Sequence, residues 1–281
     1  MSGRKTKEDI LQKKKKGEKI VMLTAYDYPL ASLIDRSGAD IVLVGDSLAN
    51  VVLGLERTKD VGMAEMIHHA KAVNRAVKQA MLVGDMPYEA YQENIETSVV
   101  HARRFIEEAG CQAVKLEWFD QCLKVVRKII QAGIPVMGHV GLTPQTADRL
   151  GGLKVQGKDA QSARQIMANA QALEEAGCFC VVLECIPMEL ASMITQTLSI
   201  PTIGIGAGVH CDGQVLVTHD LLGYVDLFQP KFTKKYAHLD EVILTALKEY
   251  CHEVKTKRFP DEAHSYHIDK EQLTTVKAKS L

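Results

Sequence analysis

Several things are missing from this chain, and each absence removes a class of function. No apolar run approaches the roughly 20 residues that a membrane-crossing helix requires. The net charge is only -1 over 281 residues, so no overall excess of either sign recommends nucleic acid or an anionic membrane as a partner. The seven cysteines are an odd number and contain no CxxC pair. Disulfides are therefore not expected, and a reducing cytoplasm is the natural compartment. The opening "MSGRKTKEDILQKKKKGEK" has no apolar core after its charges, so no secretory signal is expected. Its Lys13–Lys16 run reads as a solvated helix face or tail, weighed against a nucleic-acid-binding arm. What remains is the balance of an ordinary globular protein, 46% hydrophobic and 25% charged.

Apolar, β-branched runs recur along the chain: "KIVMLTAYD", "ADIVLVGDS", "AMLVGDMP", "CQAVKLE", "IPVMGHVG", "CFCVVLECIP", "IPTIGIGAG" and "GQVLVTHD". Each is nearly continuous in hydrophobicity, as strands covered on both faces require. Within the sixth run, Cys178 and Cys180 alternate with Phe179, which places both cysteines on one face as small core residues. Between the runs lie segments of helical period. Met63, Met66, Ile67, Ala70, Val73 and Val77 share one face, and Ile95, Val99, Ala102, Ile106 and Ala109 share another. Gly110, Gly133 and Gly177 follow helices as left-handed caps. Strands alternating with helices in this way predict an α/β (β/α)8 TIM barrel, a single domain over 20–258. A doubly wound open sheet is the structural alternative. Residues 1–19 are read as an arm with an extra N-terminal helix, and 259–281 as a C-terminal segment, loose after His267.

In such a barrel the C-terminal strand ends converge on one mouth. Those ends carry Asp27, Asp46 with Ser47, Asp85, Glu117, His139 and Glu184. A single acid after a strand is usually a helix cap; acids from five different strands weaken that reading. Clustered carboxylates repel one another unless something positive sits among them. Oxygen ligands without cysteine or histidine partners suit a hard dication, above all Mg2+. Lys115 lies two residues before Glu117, so both face the same side and Lys115 could meet an anionic substrate. Its alternative role is a salt bridge to Glu117.

Weaker signals accompany these. "GIGAG", Gly204–Gly208, lacks GxGxxG spacing and reads as a tight turn. His68 and His69 are adjacent on one helix and belong at a surface or interface. "GHVGLTPQ" joins His139 to a helix start with Pro144 at its first position. "GGLKVQGKDA" is a polar, glycine-rich loop, either closing over a site or inert.

Taken together, "TAYDYPLA", "LVGDSL", "GDMPY", "VKLE", "GHVGLTPQ", "KVQGK", "VLECIP", "IPTIGIGAG", "CDGQVLV" and "HSYH" resemble the ketopantoate hydroxymethyltransferase family, from about Leu11 to His267. The resemblance implies a (β/α)8 barrel assembled as a homo-oligomer, typically a decamer. It implies transfer of a one-carbon unit from 5,10-methylenetetrahydrofolate to 3-methyl-2-oxobutanoate through a Mg-stabilised enolate. The product is 2-dehydropantoate (ketopantoate), and the step opens pantothenate and coenzyme A synthesis. It further implies Mg2+ held by Asp46, Asp85 and Glu117, with Ser47 and Lys115 contacting the 2-oxo acid. Glu184 matches the proposed base, and His139 a residue lining the pocket. Two departures stand out: Trp118 and Phe119 follow Glu117 where two glycines are usual, and Ala49 replaces a glycine. The large rings could reshape the turn or fill part of the folate or substrate cavity. The rival readings are another Mg-dependent 2-oxo-acid aldolase or lyase of the phosphoenolpyruvate mutase type, and a non-catalytic binding or assembly barrel.

Overall fold

A computed structural model describes residues 3–92, 95–225 and 230–278. Eight parallel strands close into a barrel in sequence order. They are β1 (Ile20–Thr24), β2 (Ile41–Val44), β3 (Met81–Asp85), β4 (Ala113–Glu117), β5 (Val136–Gly141), β6 (Cys180–Glu184), β7 (Thr202–Ile205) and β8 (Gly213–Leu216). Helices run before, between and after them: α1 (Lys7–Lys16), α2 (Tyr28–Arg36), α3 (Leu48–Val51), α4 (Met63–Ala76), α5 (Glu89–Gln92) and α6 (Ile95–Glu107) in the first half. The second half adds α7 (Cys122–Gln131), α8 (Ala160–Glu175), α9 (Met188–Thr197), α10 (Thr218–Leu222), α11 (Leu239–Lys255) and α12 (Lys270–Ala278). The expected (β/α)8 barrel with an extra N-terminal helix is what forms. The turn 206–212 between β7 and β8 carries no helix.

Alternation along each strand sorts the core into two layers. Ile20, Met22, Ile41, Leu43, Met81, Val83, Ala113, Met137, Cys180, Val182, Ile203 and Val215 fill the barrel interior. The intervening residues, such as Val42, Val44, Leu82, Val114, Leu116, Val181 and Leu183, pack outward against the helices. All six residues assigned to the inner face of α4 and its end are buried. On α6 the buried stripe is Ser98, Ala102, Phe105 and Ala109, with Val99 and Ile106 at its half-buried edges; the Ile95 side chain lies outside the described residues. Phe105 sits so close to β3 that a Cβ at Gly84 would overlap its ring. Gly110, Gly133 and Gly177 all take positive φ, as the caps require.

Two expectations are corrected. Cys178 and Cys180 do not share a face: β6 begins only at Cys180, so Cys178 packs among the outer helices while Phe179 and Cys180 join the interior. The lysine run is not simply solvated. The Lys13 ammonium lies 2.8 Å from Asp40, and Lys14 lies 2.9 Å from Asp212, both acids of the barrel floor. The C-terminal segment carries helix α12 after His267, although its described side chains are exposed.

α1 closes the N-terminal end of the barrel. Thr6 and Asp9 cap it reciprocally, and its one buried residue, Ile10, enters the interior cluster. Asp40 ties it down by accepting from Lys5 and Lys13, each at 2.8 Å, and from the Val21 amide at 2.9 Å. Burial pushes the Asp40 carboxyl upward, but these three donors outweigh it and hold its pKa below the ordinary value. A depressed folded pKa contributes stability above the unfolded value of about 4 that is lost as pH falls through the folded one. Asp40→Asn is expected to cost about 1–3 kcal/mol at pH 7. Denaturant unfolding between pH 7 and pH 3 should show the difference from wild type shrinking below about pH 4; a constant difference would contradict this account.

Candidate active site

The interior rows of four adjacent strands end in ionisable side chains. β3 reads Met81, Val83, Asp85; β4 reads Ala113, Lys115, Glu117; β5 reads Met137, His139; and β6 reads Cys180, Val182, Glu184. Each begins apolar at the closed end and finishes polar at the mouth. Parallel register sets the neighbours: Asp85 opposite Lys115, Glu117 opposite His139, and Gly141 opposite Glu184. Asp46 lies just beyond β2 and turns inward, where its amide donates to Asp85 Oδ2 at 3.2 Å.

The Lys115 ammonium donates to both Asp85 oxygens, at 2.9 and 2.7 Å. Gln145 Nε2 donates to Asp46 Oδ2 at 3.1 Å, and the Gln145 amide donates to Glu117 Oε2 at 3.1 Å. Ser47 Oγ is 2.7 Å from the Tyr26 hydroxyl. His139 Nε2 lies 3.2 Å from Glu184 Oε2, and its Nδ1 lies 3.7 Å from Glu117 Oε1. Neither ring nitrogen is aligned for a hydrogen bond.

Glu184 owes its position to its neighbours in sequence and in register. Gly141 has φ 99°; a Cβ there would strike the Glu184 carbonyl oxygen, which accepts from the Leu142 amide at 2.9 Å. Cys185 then turns the chain through φ 47°, a region most side chains avoid and one found often at functional sites.

Burial dominates the electrostatics. It pushes Asp85 up to about 7; the Lys115 charge opposes this and Asp46 adds to it. Glu117 is raised well above the carboxylate range by burial and by Asp46. Glu184 is raised to about 8 by burial, with Lys115 opposing and Asp46 adding. Burial disfavours the Lys115 charge, but Asp85, Asp46 and Glu117 more than offset it, so the ammonium stays protonated and its pKa rises. Burial, then the nearby Lys115 charge, holds His139 far below the usual histidine value, and the ring is neutral.

A cavity of about 570 Å3 opens on this cluster. Asp46, Ser47, Asp85, Lys115 and Glu184 line its floor; Leu55, Leu142, Leu153 and Phe232 line its walls. Glu117 and His139 lie behind the floor at 0% and 1% exposure. The glycine-rich loop stands at the mouth, with Leu153 in the wall and the Gln156 amide donating to the Cys185 carbonyl at 2.9 Å.

Of the strand-end residues, the structure brings Asp46, Ser47, Asp85, Lys115, Glu117, His139 and Glu184 together. Asp27 is the exception. Its carboxylate accepts from the Leu30 amide at 2.8 Å as the exposed N-cap of α2, the ordinary fate of an acid after a strand. Trp118 and Phe119 line a separate cavity of about 320 Å3 rather than this one. His69 Nδ1 pairs with the Tyr26 carbonyl at 2.6 Å. The helix expected at Pro144 is a 3-10 turn over Pro144–Leu150. Sequence reading missed Gln145 and Tyr91, the polar groups that join Asp46 to Glu117. Gln145 stood inside a motif, but nothing in its spacing marked it as inward-facing.

The donor set suits a hard dication, being all oxygen at the cavity floor. Glu117 Oε1 is buried without a hydrogen-bond partner. Among the described residues, however, no three acid, histidine or cysteine side chains form a ready metal cage, because Asp85 is turned to Lys115. The all-oxygen floor and the unpartnered Glu117 oxygen are what fit a hard dication such as Mg2+, which binds carboxylate oxygens and waters.

Comparison with known proteins gives a consistent result. Residues 4–262 match the family described as ketopantoate hydroxymethyltransferase. The chain is 54% identical over 261 residues to the 3-methyl-2-oxobutanoate hydroxymethyltransferase of Syntrophomonas wolfei, covering 93% of this chain and 95% of that protein. It is 50% identical over 273 residues to the same-named protein of Carboxydothermus hydrogenoformans, covering 97% and 99%. Among solved structures it is similar in fold to a phosphonopyruvate hydrolase complexed with oxalate and Mg2+, with TM-score 0.61, 11% identity and coverage of 98% and 96%. A 2,3-dimethylmalate lyase superposes with TM-score 0.59 at 14% identity, covering 100% and 96%; at such identities the likeness concerns fold alone. The chain belongs to the ketopantoate hydroxymethyltransferase family.

Proposed function

We propose that this protein transfers a hydroxymethyl group from 5,10-methylenetetrahydrofolate to 3-methyl-2-oxobutanoate, making 2-dehydropantoate in the opening step of pantothenate and coenzyme A synthesis. One observation carries the mechanism: a base candidate, a buried cation and two carboxylates share the floor of one cavity. Its volume, about 570 Å3, lies in the range of roughly 300–1,000 Å3 that holds a drug-sized ligand. A small oxo acid fills only part of that, leaving room for the folate. The same chemistry supports a cytoplasmic setting: the seven cysteines are free, and six of them are buried.

Asp46, Asp85 and Glu117 would hold Mg2+. When bound, that ion would stabilise the negative charge growing on the oxo oxygen as C3 loses its proton. Lys115 adds a fixed positive charge toward the acid's oxygens, and Ser47 offers a hydroxyl whose orientation Tyr26 sets. Glu184 accepts the C3 proton on a carboxylate oxygen. Its raised pKa makes it a stronger base than a solvated carboxylate and one matched to neutral conditions. Neutral His139 keeps a second charge from facing Glu184 from behind. Leu142, Leu153 and Phe232 shield the enolate as its carbon bonds to the folate methylene carbon. That carbon gives up both of its C–N bonds and takes its hydroxyl from one water, while the two freed nitrogens take up the C3 proton and the remaining water proton.

Asp46→Ala or Asp85→Ala should cut turnover severely and weaken Mg2+ binding. Glu184→Gln should keep Mg2+ affinity while slowing exchange of the C3 proton of 3-methyl-2-oxobutanoate by about 10²–10⁴-fold, followed by NMR in D2O. Exchange at the wild-type rate in Glu184→Gln would remove Glu184 as the base.

The protein is further proposed to act as a homo-oligomer, a decamer by family resemblance. α11 has no buried residue, yet Ile243, Leu247, Tyr250 and Val254 form an exposed apolar stripe along it. Outward-facing Val21 of β1 and Gln214 of β8 are likewise exposed on the barrel wall. A second copy of this chain answers both needs by seating the stripe on such a wall. The double substitution Leu247→Asp with Tyr250→Asp should give smaller species by sedimentation velocity. A monomeric wild type, or an unchanged size in the variant, would refute this.

A further inference from the structure

Gln145 is 1% exposed, and its whole amide is committed. Its Oε1 accepts from the Tyr91 hydroxyl at 2.6 Å. Its Nε2 donates to the Met86 carbonyl and to Asp46 Oδ2, both at 3.1 Å. A backbone carbonyl can only accept, so the amide cannot be turned over, and its nitrogen must face Asp46. The Tyr91 hydroxyl in turn accepts from the Glu117 amide at 3.3 Å, which leaves its proton for Gln145. The backbone amide of Gln145 meanwhile donates to Glu117 Oε2 at 3.1 Å.

One residue therefore covers one oxygen of Asp46 and one of Glu117. Among the described residues the other two oxygens, Asp46 Oδ1 and Glu117 Oε1, accept no hydrogen bond. We infer that Gln145, anchored by Tyr91, is a positioning residue that makes Asp46 a one-oxygen donor and thereby sets the choice between small and large dications. The inference rests on reading the cavity floor as a divalent-cation site. Its physical basis is denticity. Mg2+ takes single oxygens in near-octahedral order at roughly 2.0–2.1 Å, whereas Ca2+ accepts six to eight oxygens at roughly 2.3–2.6 Å, often both from one carboxylate. Holding Asp46 Oδ2 fixes the carboxylate's orientation and occupies one of that oxygen's lone-pair directions, so bidentate binding of the larger ion must compete with Gln145. It also satisfies a buried carboxylate oxygen without adding a charge.

The test is calorimetric titration of the full chain, without substrate, using MgCl2 and CaCl2 separately. Gln145→Met keeps the length and apolar volume but removes the donor; Tyr91→Phe keeps Gln145 but releases its carbonyl. Gln145→Met should weaken Mg2+ binding by about 10–100-fold, as loss of an outer partner of a ligand does, with a smaller loss for Ca2+. The Ca2+-to-Mg2+ preference should therefore shift toward Ca2+, and Tyr91→Phe should move it the same way by less. A residue that only supported the fold would weaken both ions equally or lower the unfolding temperature alone. If Gln145→Met does not fold, Tyr91→Phe decides. An unchanged preference in the folded variants while wild type binds Mg2+ would overturn the inference alone. A wild type that binds neither ion would overturn both the inference and the cation site beneath it.

Discussion

The Lys115–Asp85 pair is the constraint from which the rest of the mouth follows. Among the described residues Lys115 is the only buried lysine or arginine, and it shares its end of the barrel with Asp46, Asp85, Glu117 and Glu184. A buried ion pair is weak evidence for stability, because desolvation consumes much of its Coulomb energy. Here it supplies one positive charge where several negative ones have been gathered. The shortfall shows in the carboxyl groups: burial raises Asp85, Glu117 and Glu184, and Lys115 can oppose that only in part. A site short of positive charge favours a cationic ligand and sustains a base, and both follow from placing too few donors around too many acids.

Comparing these acids with the other buried carboxylates of the chain makes the distinction concrete. Asp35 accepts from the backbone amides of Lys78, Gln79 and Ala80, and Asp40 from two lysines and an amide. Those acids are fully answered, as buried charge in a structural role must be. Glu117 is not, since one of its oxygens is buried without a partner. That unanswered oxygen separates Glu117 from Asp35 and Asp40, which are as deeply buried.

This explains which features were legible in the sequence. Period-2 alternation places Lys115 with Glu117, and it extends to Met81–Val83–Asp85 and Cys180–Val182–Glu184, so the charged rim follows from local pattern once the barrel is closed. Asp27 has the same sequence look but lies after its strand, at the first residue before a helix, where capping wins. Gln145 could not be read because its role depends on a 3-10 turn folding back onto β2 and β4, a contact between residues far apart in the chain. The lysines of α1 looked like a solvated run for the same reason: Asp40 and Asp212, which bind them, are distant in sequence and meet them only when the helix crosses the barrel floor. Single residues whose partners come from elsewhere in the fold are the part that pattern alone cannot supply.

Stability and chemistry are thereby assigned to opposite ends of one barrel. At the N-terminal end Ile10 enters an apolar interior and its flanking lysines meet acids one for one or better. At the C-terminal end the strands exit into the polar rows and an open cavity. Between them lie the methionine, valine and isoleucine layers of the interior, which keep water from beneath Asp85, Glu117 and Glu184 and sustain the low dielectric that raises their pKa values. The apolar core and the reactive mouth are thus coupled by dielectric rather than by direct contact. Loosening Val83 or Val182, one step below Asp85 and Glu184, would admit water and relax the carboxyl groups toward their ordinary values without touching a single ligand. A barrel of this kind holds its chemistry only as long as it stays dry beneath the rim.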